Sequence, residues 1–258
     1  MTTWILLRGL MRERRHWGDF PRLLQEALPD AAIVTPDLPG NGERNGMRSA
    51  GSVAGMVEFC RQDVAARGHA GPLHLLALSL GAMVAVEWAA RYPHEIAGAV
   101  LMNTSMRPFS RFYRRLRWQN YGAIVAALAL GGIARQEKLI LCLTSRDAAG
   151  REELLQSWIG YQRRYPVARA NALRQLLSAA RYRAPAQRPA PPILVLAGGG
   201  DRLVDPRCSW QLAQRWQTEY HCHPSAGHDL PLDEGAWVAR MVSQWSGAAP
   251  GMGRRDQQ

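Results

Sequence analysis

Residues 77–81 decide the fold, and they read Ala77-Leu78-Ser79-Leu80-Gly81. They end the apolar run 73–78, which is typical of a buried strand, and they open a segment with the three-and-four apolar spacing of a helix. A serine on such a turn projects its hydroxyl at the carboxyl edge of the sheet, beside backbone N–H groups that can bind an oxyanion. The tight turn requires small residues two positions before and after the serine, which Gly81 provides fully and Ala77 nearly. The pattern predicts a nucleophile at Ser79; the alternative is an ordinary strand end with no catalytic role.

Short apolar runs recur along the chain and are separated mostly by segments with helical periodicity. They lie at 4–7, 31–35, 73–78, 97–102, 193–197 and 218–222. Such alternation is typical of βαβ units, in which the strands form a parallel sheet covered by helices. The sequence therefore predicts an α/β fold with a mostly parallel sheet of about six strands flanked by helices.

The alternation stops in one long segment, residues 106–189, which we call the insertion. It is rich in arginine and has helical spacing, and it lies directly before the strand that precedes Asp201. We expect it to be a helical lid on a core formed by residues 1–105 and 190–246. The small and polar tail, residues 247–258, is expected to be disordered.

The positive charge of the chain is concentrated in the insertion. The net charge is +11, and residues 106–190 hold 16 Arg plus Lys against 4 Asp plus Glu, while the remaining residues hold 16 against 17. No nucleic-acid-binding motif accompanies the charge, so we expect no nucleic-acid partner. A partner or substrate with negative charge is favoured instead, with Arg111, Arg114 and Arg115 as candidate contacts on neighbouring helical positions. The alternative is a solvated arginine-rich surface.

Two further residues with catalytic chemistry follow predicted strands. Asp201 comes after the run 193–197 in Gly198-Gly199-Gly200-Asp201, and His228 comes after the run 218–222. Because the carboxyl ends of parallel strands meet at one edge, Ser79, Asp201 and His228 are predicted to converge there in the chain order of a Ser-Asp-His triad. Asp205 is the alternative acid, and a surface or capping role is the alternative for His228.

The chain resembles the α/β-hydrolase family from Trp4 to Trp245. The matching motifs beyond the serine turn are Arg8-Gly9-Leu10 with Trp17, Pro36-Asp37-Leu38-Pro39-Gly40-Asn41-Gly42 and His228-Asp229-Leu230-Pro231-Leu232. The resemblance implies that the backbone N–H groups of Leu10 and Leu80 form the oxyanion hole. Two positions depart from the family pattern: Arg8 replaces a histidine and Ala77 replaces a glycine. Arg8 is expected to bind a substrate carboxylate or, as we favour, to pair with a nearby acid.

These residues predict a serine hydrolase that cleaves carboxylic esters through an acyl-enzyme, with Ser79 as nucleophile, His228 as base and Asp201 as the acid that orients it. The scheme requires no metal and no organic cofactor. The chain is also similar to the esterases of biotin synthesis, which implies an acyl ester carried on an acidic acyl carrier protein. The alternatives are a noncatalytic binding module on the same fold, a thioesterase, a C–C hydrolase and an aminopeptidase-like amidase. A basic binder of membrane surfaces or nucleic acid is a further competitor.

The expected location is the cytoplasm. The start of the chain lacks a basic region and a long apolar run, so no signal peptide is predicted. The longest apolar stretch, 121–134, is shorter than the roughly 20 residues that span a bilayer. The four cysteines have no CxxC spacing, which fits a reducing compartment.

Overall fold

A computed structural model describes residues 2–248 of the chain. Most of the tail that we predicted to be disordered, residues 249–258, lies outside the described residues. The last helix continues to Ala248, so it includes the first two residues of that tail.

One sheet of six parallel strands forms the centre of the molecule, in the spatial order β2-β1-β3-β4-β5-β6. The strands are β1 (Thr2–Leu7), β2 (Ala31–Val34), β3 (Leu73–Leu78), β4 (Ile96–Met102), β5 (Ile193–Gly198) and β6 (Glu219–His223). This confirms the predicted fold class, and each predicted strand agrees with the observed one to within two residues at either end.

The sheet is buried on both faces, which is why its central strands are continuously apolar. Successive side chains of a strand point to opposite faces: Leu75 and Ala77 belong to one buried cluster, and Leu76 and Leu78 belong to the other. Helices cover both clusters. The helices of the described residues are α1 (Phe20–Ala27), α2 (Val53–Ala66), α3 (Leu80–Arg91), α4 (Phe112–Arg115), α5 (Tyr121–Leu130), α6 (Ile133–Thr144), α7 (Glu152–Arg164), α8 (Arg169–Arg181), α9 (Arg207–Trp216) and α10 (Leu230–Ala248), the last interrupted by non-helical backbone at Glu234.

The insertion supplies α4 to α8 between β4 and β5. It has a small apolar cluster of its own around Leu141 and Trp158, and a buried ion pair joins it to the core. In that pair Arg12 Nη1 lies 2.7 Å from Glu137 Oε2, with side-chain exposures of 7% and 2%. Burial lowers the pKa of His16 well below its usual value, so its neutral ring can accept a hydrogen bond from Arg12 at 2.8 Å. The insertion is therefore fixed to the loop that follows β1.

No helix within residues 2–248 has both the length and the apolar character needed to cross a membrane.

Candidate active site

Ser79 occupies the sharp turn between β3 and α3, with φ of 56° and ψ of −114°. Left-handed backbone is unfavourable for a residue with a side chain, at a cost of roughly 1–3 kcal/mol, and persists only where the surroundings enforce it. Here the Ser79 amide donates to the carbonyl of Met102 at 3.0 Å, and the Thr104 hydroxyl donates to the carbonyl of Ser79 at 3.1 Å. The end of β4 therefore holds the strained turn in place.

Small residues are needed at this turn because the start of α3 lies against the end of β1. A Cβ atom on Gly81 would lie 2.3 Å from the carbonyl oxygen of Leu7, closer than any real contact. A Cβ on Gly9 would lie 3.3 Å from Cβ of Ser79. The requirement for a small residue after the serine thus has a direct steric cause.

Asp201 and His228 are buried and hydrogen-bonded to each other. His228 Nδ1 lies 2.7 Å from Asp201 Oδ2, and since a carboxylate only accepts, Nδ1 carries the proton. The second oxygen, Oδ1, accepts from the amides of Leu203 and Val204 at 2.8 and 2.9 Å. Both oxygens of the Asp201 carboxylate therefore accept hydrogen bonds. With the proton on Nδ1, the unprotonated ring nitrogen of His228 is Nε2.

The alternative acid, Asp205, does not hydrogen-bond to the histidine. Its carboxylate accepts from the Arg207 amide at 3.0 Å and lies 3.8 Å from Arg114. Of the two carboxylates considered from the sequence, Asp201 is the one that contacts His228.

Ser79 and His228 line one cavity of about 370 Å³ beneath the insertion. The rest of its wall is mostly apolar, with Leu10, Met11, Leu139, Ile140, Leu143, Leu173 and Leu176 among its members. Within residues 2–248 the Ser79 hydroxyl has no hydrogen-bond partner, so the contact between Ser79 and His228 is not formed in this state. Such contacts often tighten only when substrate binds.

The backbone amides of Leu10 and Leu80 are both next to Ser79 in the fold. Leu80 is the first residue of α3, and Leu10 follows Gly9, where an added Cβ atom would lie 3.3 Å from Cβ of Ser79. Neither amide has an acceptor among the described residues, whereas the neighbouring amide of Met11 donates to Gln175 Oε1 at 2.9 Å. Two free donors beside the hydroxyl are what an oxyanion hole requires.

Arg8, at the position that departs from the family pattern, pairs with the residue after His228. Its guanidinium forms two hydrogen bonds to Asp229, at 2.6 and 3.1 Å, and stacks over the ring of Trp17 at 4.7 Å. Both charged groups are almost fully buried. The geometry corresponds to the structural pairing that we favoured, and it joins the loop after β1 to the histidine loop.

Asn103 is a site residue that the sequence reasoning missed. Its amide nitrogen donates to the carbonyls of Gly227 and His228, at 2.9 and 2.7 Å, and its oxygen accepts from the amide of Gly198 at 2.8 Å. Asn103 thus connects the ends of β4 and β5 to the histidine loop. The available signal was a polar residue directly after a buried strand, at the same sheet edge as Ser79 and Asp201.

The three candidate arginines of the insertion do not form one exposed patch. Arg111 is exposed, but Arg115 is half-buried and donates to the carbonyls of Ala179 and Ala180 at 2.6 and 3.0 Å. Arg114 is partly buried near Asp205. Helical spacing along the sequence does not show which arginines other segments cover.

No group of three or more metal-ligating His, Cys, Asp or Glu side chains occurs in the part of the chain that the structure describes.

The chain belongs to the alpha/beta hydrolase family, whose model matches residues 4–241. A thermophilic esterase from Thermogutta terrifontis is similar in structure, with a TM-score of 0.74, 21% identity and coverage of 96% of this chain and 90% of the other. A candidate non-heme bromoperoxidase from Mycobacterium tuberculosis has a TM-score of 0.76 at 20% identity, covering 96% and 92%. A meta-cleavage product hydrolase from Pseudomonas fluorescens has a TM-score of 0.74 at 18% identity, covering 96% and 91%. At these identities the likeness shows the fold alone.

No curated protein matches the chain.

Proposed function

We propose that this protein is a serine hydrolase that cleaves carboxylic esters through an acyl-enzyme intermediate. The observation that carries the proposal is the buried hydrogen bond between Asp201 and His228, because His228 lines the same cavity as Ser79. A noncatalytic binding module would need the cavity but not this pair. The strained turn at Ser79 supports the same reading, because strain of this kind concentrates at functional positions.

In the proposed reaction His228 Nε2 removes the proton of the Ser79 hydroxyl as its oxygen attacks the ester carbonyl. The amides of Leu10 and Leu80 bind the oxyanion that forms; in other hydrolases the loss of one such donor costs about 2.7–4 kcal/mol of transition-state stabilisation. The protonated histidine, stabilised by Asp201, then donates its proton to the departing alkoxide. A water molecule, deprotonated by His228, attacks the acyl-enzyme and releases the acid.

The mostly apolar wall of the cavity favours an apolar acyl chain. Its volume of about 370 Å³ is at the lower end of the range typical of small-molecule sites. We propose that the insertion acts as a lid, since α5, α6 and α8 contribute side chains to this wall. Chain-length selectivity should then depend on the leucines of α6 and α8.

The experiment compares Ser79→Ala with wild type on a series of p-nitrophenyl esters of increasing acyl length. Loss of the nucleophile is expected to lower kcat by a factor on the order of 10⁴–10⁶. Ser157→Ala is the matched control, because Ser157 is exposed on α7. A fluorophosphonate probe should label wild type at Ser79 and leave the Ser79→Ala protein unlabelled. Ester turnover by Ser79→Ala at the wild-type rate would contradict the proposal.

The same variants distinguish the other reactions open to this fold. Thioesters, anilides and a vinylogous diketone should be tested beside the esters. If one of these substrates is turned over faster than the esters, the protein is assigned as a thioesterase, an amidase or a C–C hydrolase instead of an esterase. The nucleophile remains Ser79.

A finer proposal is that the acyl group is carried on an acidic acyl carrier protein. The support is the charge of the insertion, 16 basic against 4 acidic residues over 106–190. Arg111→Gln with Arg114→Gln should weaken carrier binding and reduce its dependence on salt, whereas Arg48→Gln, at an exposed arginine outside the insertion, should not. If both variants bind the carrier protein with equal affinity, the carrier-protein proposal is contradicted. The esterase proposal is not affected by that result.

A further inference from the structure

Helix α5 is apolar on all sides and is exposed on one of them. Its sequence, YGAIVAALAL, contains no charged residue. Ile124 and Ala127 line the cavity, while Val125 on the same helix is 63% exposed. A helix that is apolar all round is normally buried or placed against lipid. The exposed side of α5 is therefore an unpartnered apolar surface.

Two aromatic residues that precede α5 are exposed as well. Phe112 is 74% exposed and Trp118 is 62% exposed. Together with Val125 they place three large apolar side chains in solvent within a short stretch of the insertion. Soluble proteins seldom expose large apolar groups in such concentration without a partner. We call Phe112, Trp118 and Val125 the apolar surface of the insertion.

The charged residues of the segment that contains this surface have one sign. Residues 106–136 contain six arginines and no Asp or Glu. Arg111 and Arg135, on either side of α5, are exposed, and neither forms an ion pair within residues 2–248. The segment thus presents apolar side chains together with uncompensated positive charge.

We infer that the apolar surface of the insertion docks on a lipid bilayer that contains anionic lipids. Interfacial segments combine aromatic and aliphatic residues, which enter the headgroup region, with Arg or Lys, which bind anionic headgroups. An acidic protein would account for the arginines but would leave the exposure of Phe112 and Trp118 unexplained. Because Ile124 and Ala127 lie on the same helix, docking brings the cavity wall next to the membrane. The inference does not depend on the proposed hydrolysis.

The apolar part of the inference is tested by sedimentation with vesicles of phosphatidylcholine and phosphatidylglycerol, using the full chain. Phe112→Ser with Trp118→Ser is expected to weaken partitioning at least about tenfold, since both rings leave the interface. The matched control is Trp210→Ser, because Trp210 is an exposed tryptophan on α9, outside the insertion. Circular dichroism and turnover of a water-soluble ester should match wild type, which separates docking from folding and from catalysis.

The electrostatic part is tested with Arg111→Gln and Arg135→Gln together. Each arginine near an anionic surface contributes about a fivefold increase in partitioning, so the double variant should bind about 30-fold more weakly. Arg48→Gln with Arg215→Gln, two exposed arginines outside the insertion, is the control. Vesicles of phosphatidylcholine alone should bind wild type much more weakly than the mixed vesicles.

Any one of four results would overturn the inference. Wild type could bind neither kind of vesicle, or it could bind both kinds equally. The aromatic variant could bind the mixed vesicles as strongly as Trp210→Ser. Finally, wild type could bind an acidic carrier protein but no vesicles, and the arginine variant could lose that binding. A protein would then be the partner of this surface.

Discussion

The buried pair of Arg8 and Asp229 yields a quantitative prediction about stability. We consider Asp229→Asn, which removes one charge and keeps the size of the side chain. Arg8 would remain buried without a carboxylate partner, with the Trp17 ring 4.7 Å from its guanidinium. Removing one partner of a buried ion pair costs about 3–5 kcal/mol, because the other charge is left without compensation. We expect a value near about 3 kcal/mol, since asparagine can still accept one hydrogen bond and the ring offsets part of the loss.

An exposed pair provides the control. Arg22 and Glu26 are ion-paired on α1 with side-chain exposures of 63% and 59%. Exposed pairs of this spacing contribute only about 0.3–0.5 kcal/mol. Glu26→Gln should therefore change the free energy of unfolding several times less than Asp229→Asn does.

The assay is chemical denaturation at neutral pH, with a double-mutant cycle. Arg8→Met and Asp229→Asn are measured singly and together, and the double variant should be more stable than the sum of the single losses predicts, because it contains no unpaired charge. A coupling of about 2 kcal/mol is expected. The reasoning is refuted if the two losses add to within about 0.5 kcal/mol, or if Asp229→Asn is no more costly than Glu26→Gln.

Three further predictions concern the turn, an acidic side chain and the attachment of the insertion. Gly81→Ala should destabilise the protein, because the added Cβ would lie 2.3 Å from a carbonyl oxygen of β1. The control Gly160→Ala, which has open space on α7, should stabilise the protein by about 0.5–1 kcal/mol. Equal effects of the two substitutions in thermal denaturation would contradict this prediction. Burial raises the pKa of Asp37 to about 6, above its unfolded value of roughly 3.9, so its contribution to stability falls as pH rises between these values. Asp37→Asn should consequently gain stability relative to wild type from about pH 4 to about pH 7 in denaturant titrations, and a difference that stays constant with pH would show that this carboxyl does not titrate as stated. Glu137→Gln removes the buried partner of Arg12 and should speed hydrogen exchange in α6, measured by mass spectrometry; unchanged protection there would mean that the pair does not fix the insertion.

The strands and the serine turn could be predicted from the sequence because their signals are local. A buried parallel strand is a short continuous apolar run, and all six runs correspond to strands of the sheet. The turn at Ser79 depends on small residues at fixed offsets along the chain. The location of Asp201 and His228 at the same edge of the sheet could also be predicted, because each follows a strand and parallel strands end at one edge.

The partners of the charged and polar side chains were decided only by the tertiary structure. Arg8 and Asp229 are 221 residues apart, and Arg115 donates to carbonyls of a helix more than sixty residues away. Asn103 joins segments on either side of the insertion. Periodicity fixes which face of an element is apolar, but a hydrogen bond requires two groups to lie within about 3 Å, and that distance is set by how distant segments pack. The sequence by itself therefore determined the strands of the sheet, the chain order of the catalytic candidates Ser79, Asp201 and His228, and the sign of the net charge. Packing alone determined which charged side chains are paired, which are unpaired, and which residues close the cavity.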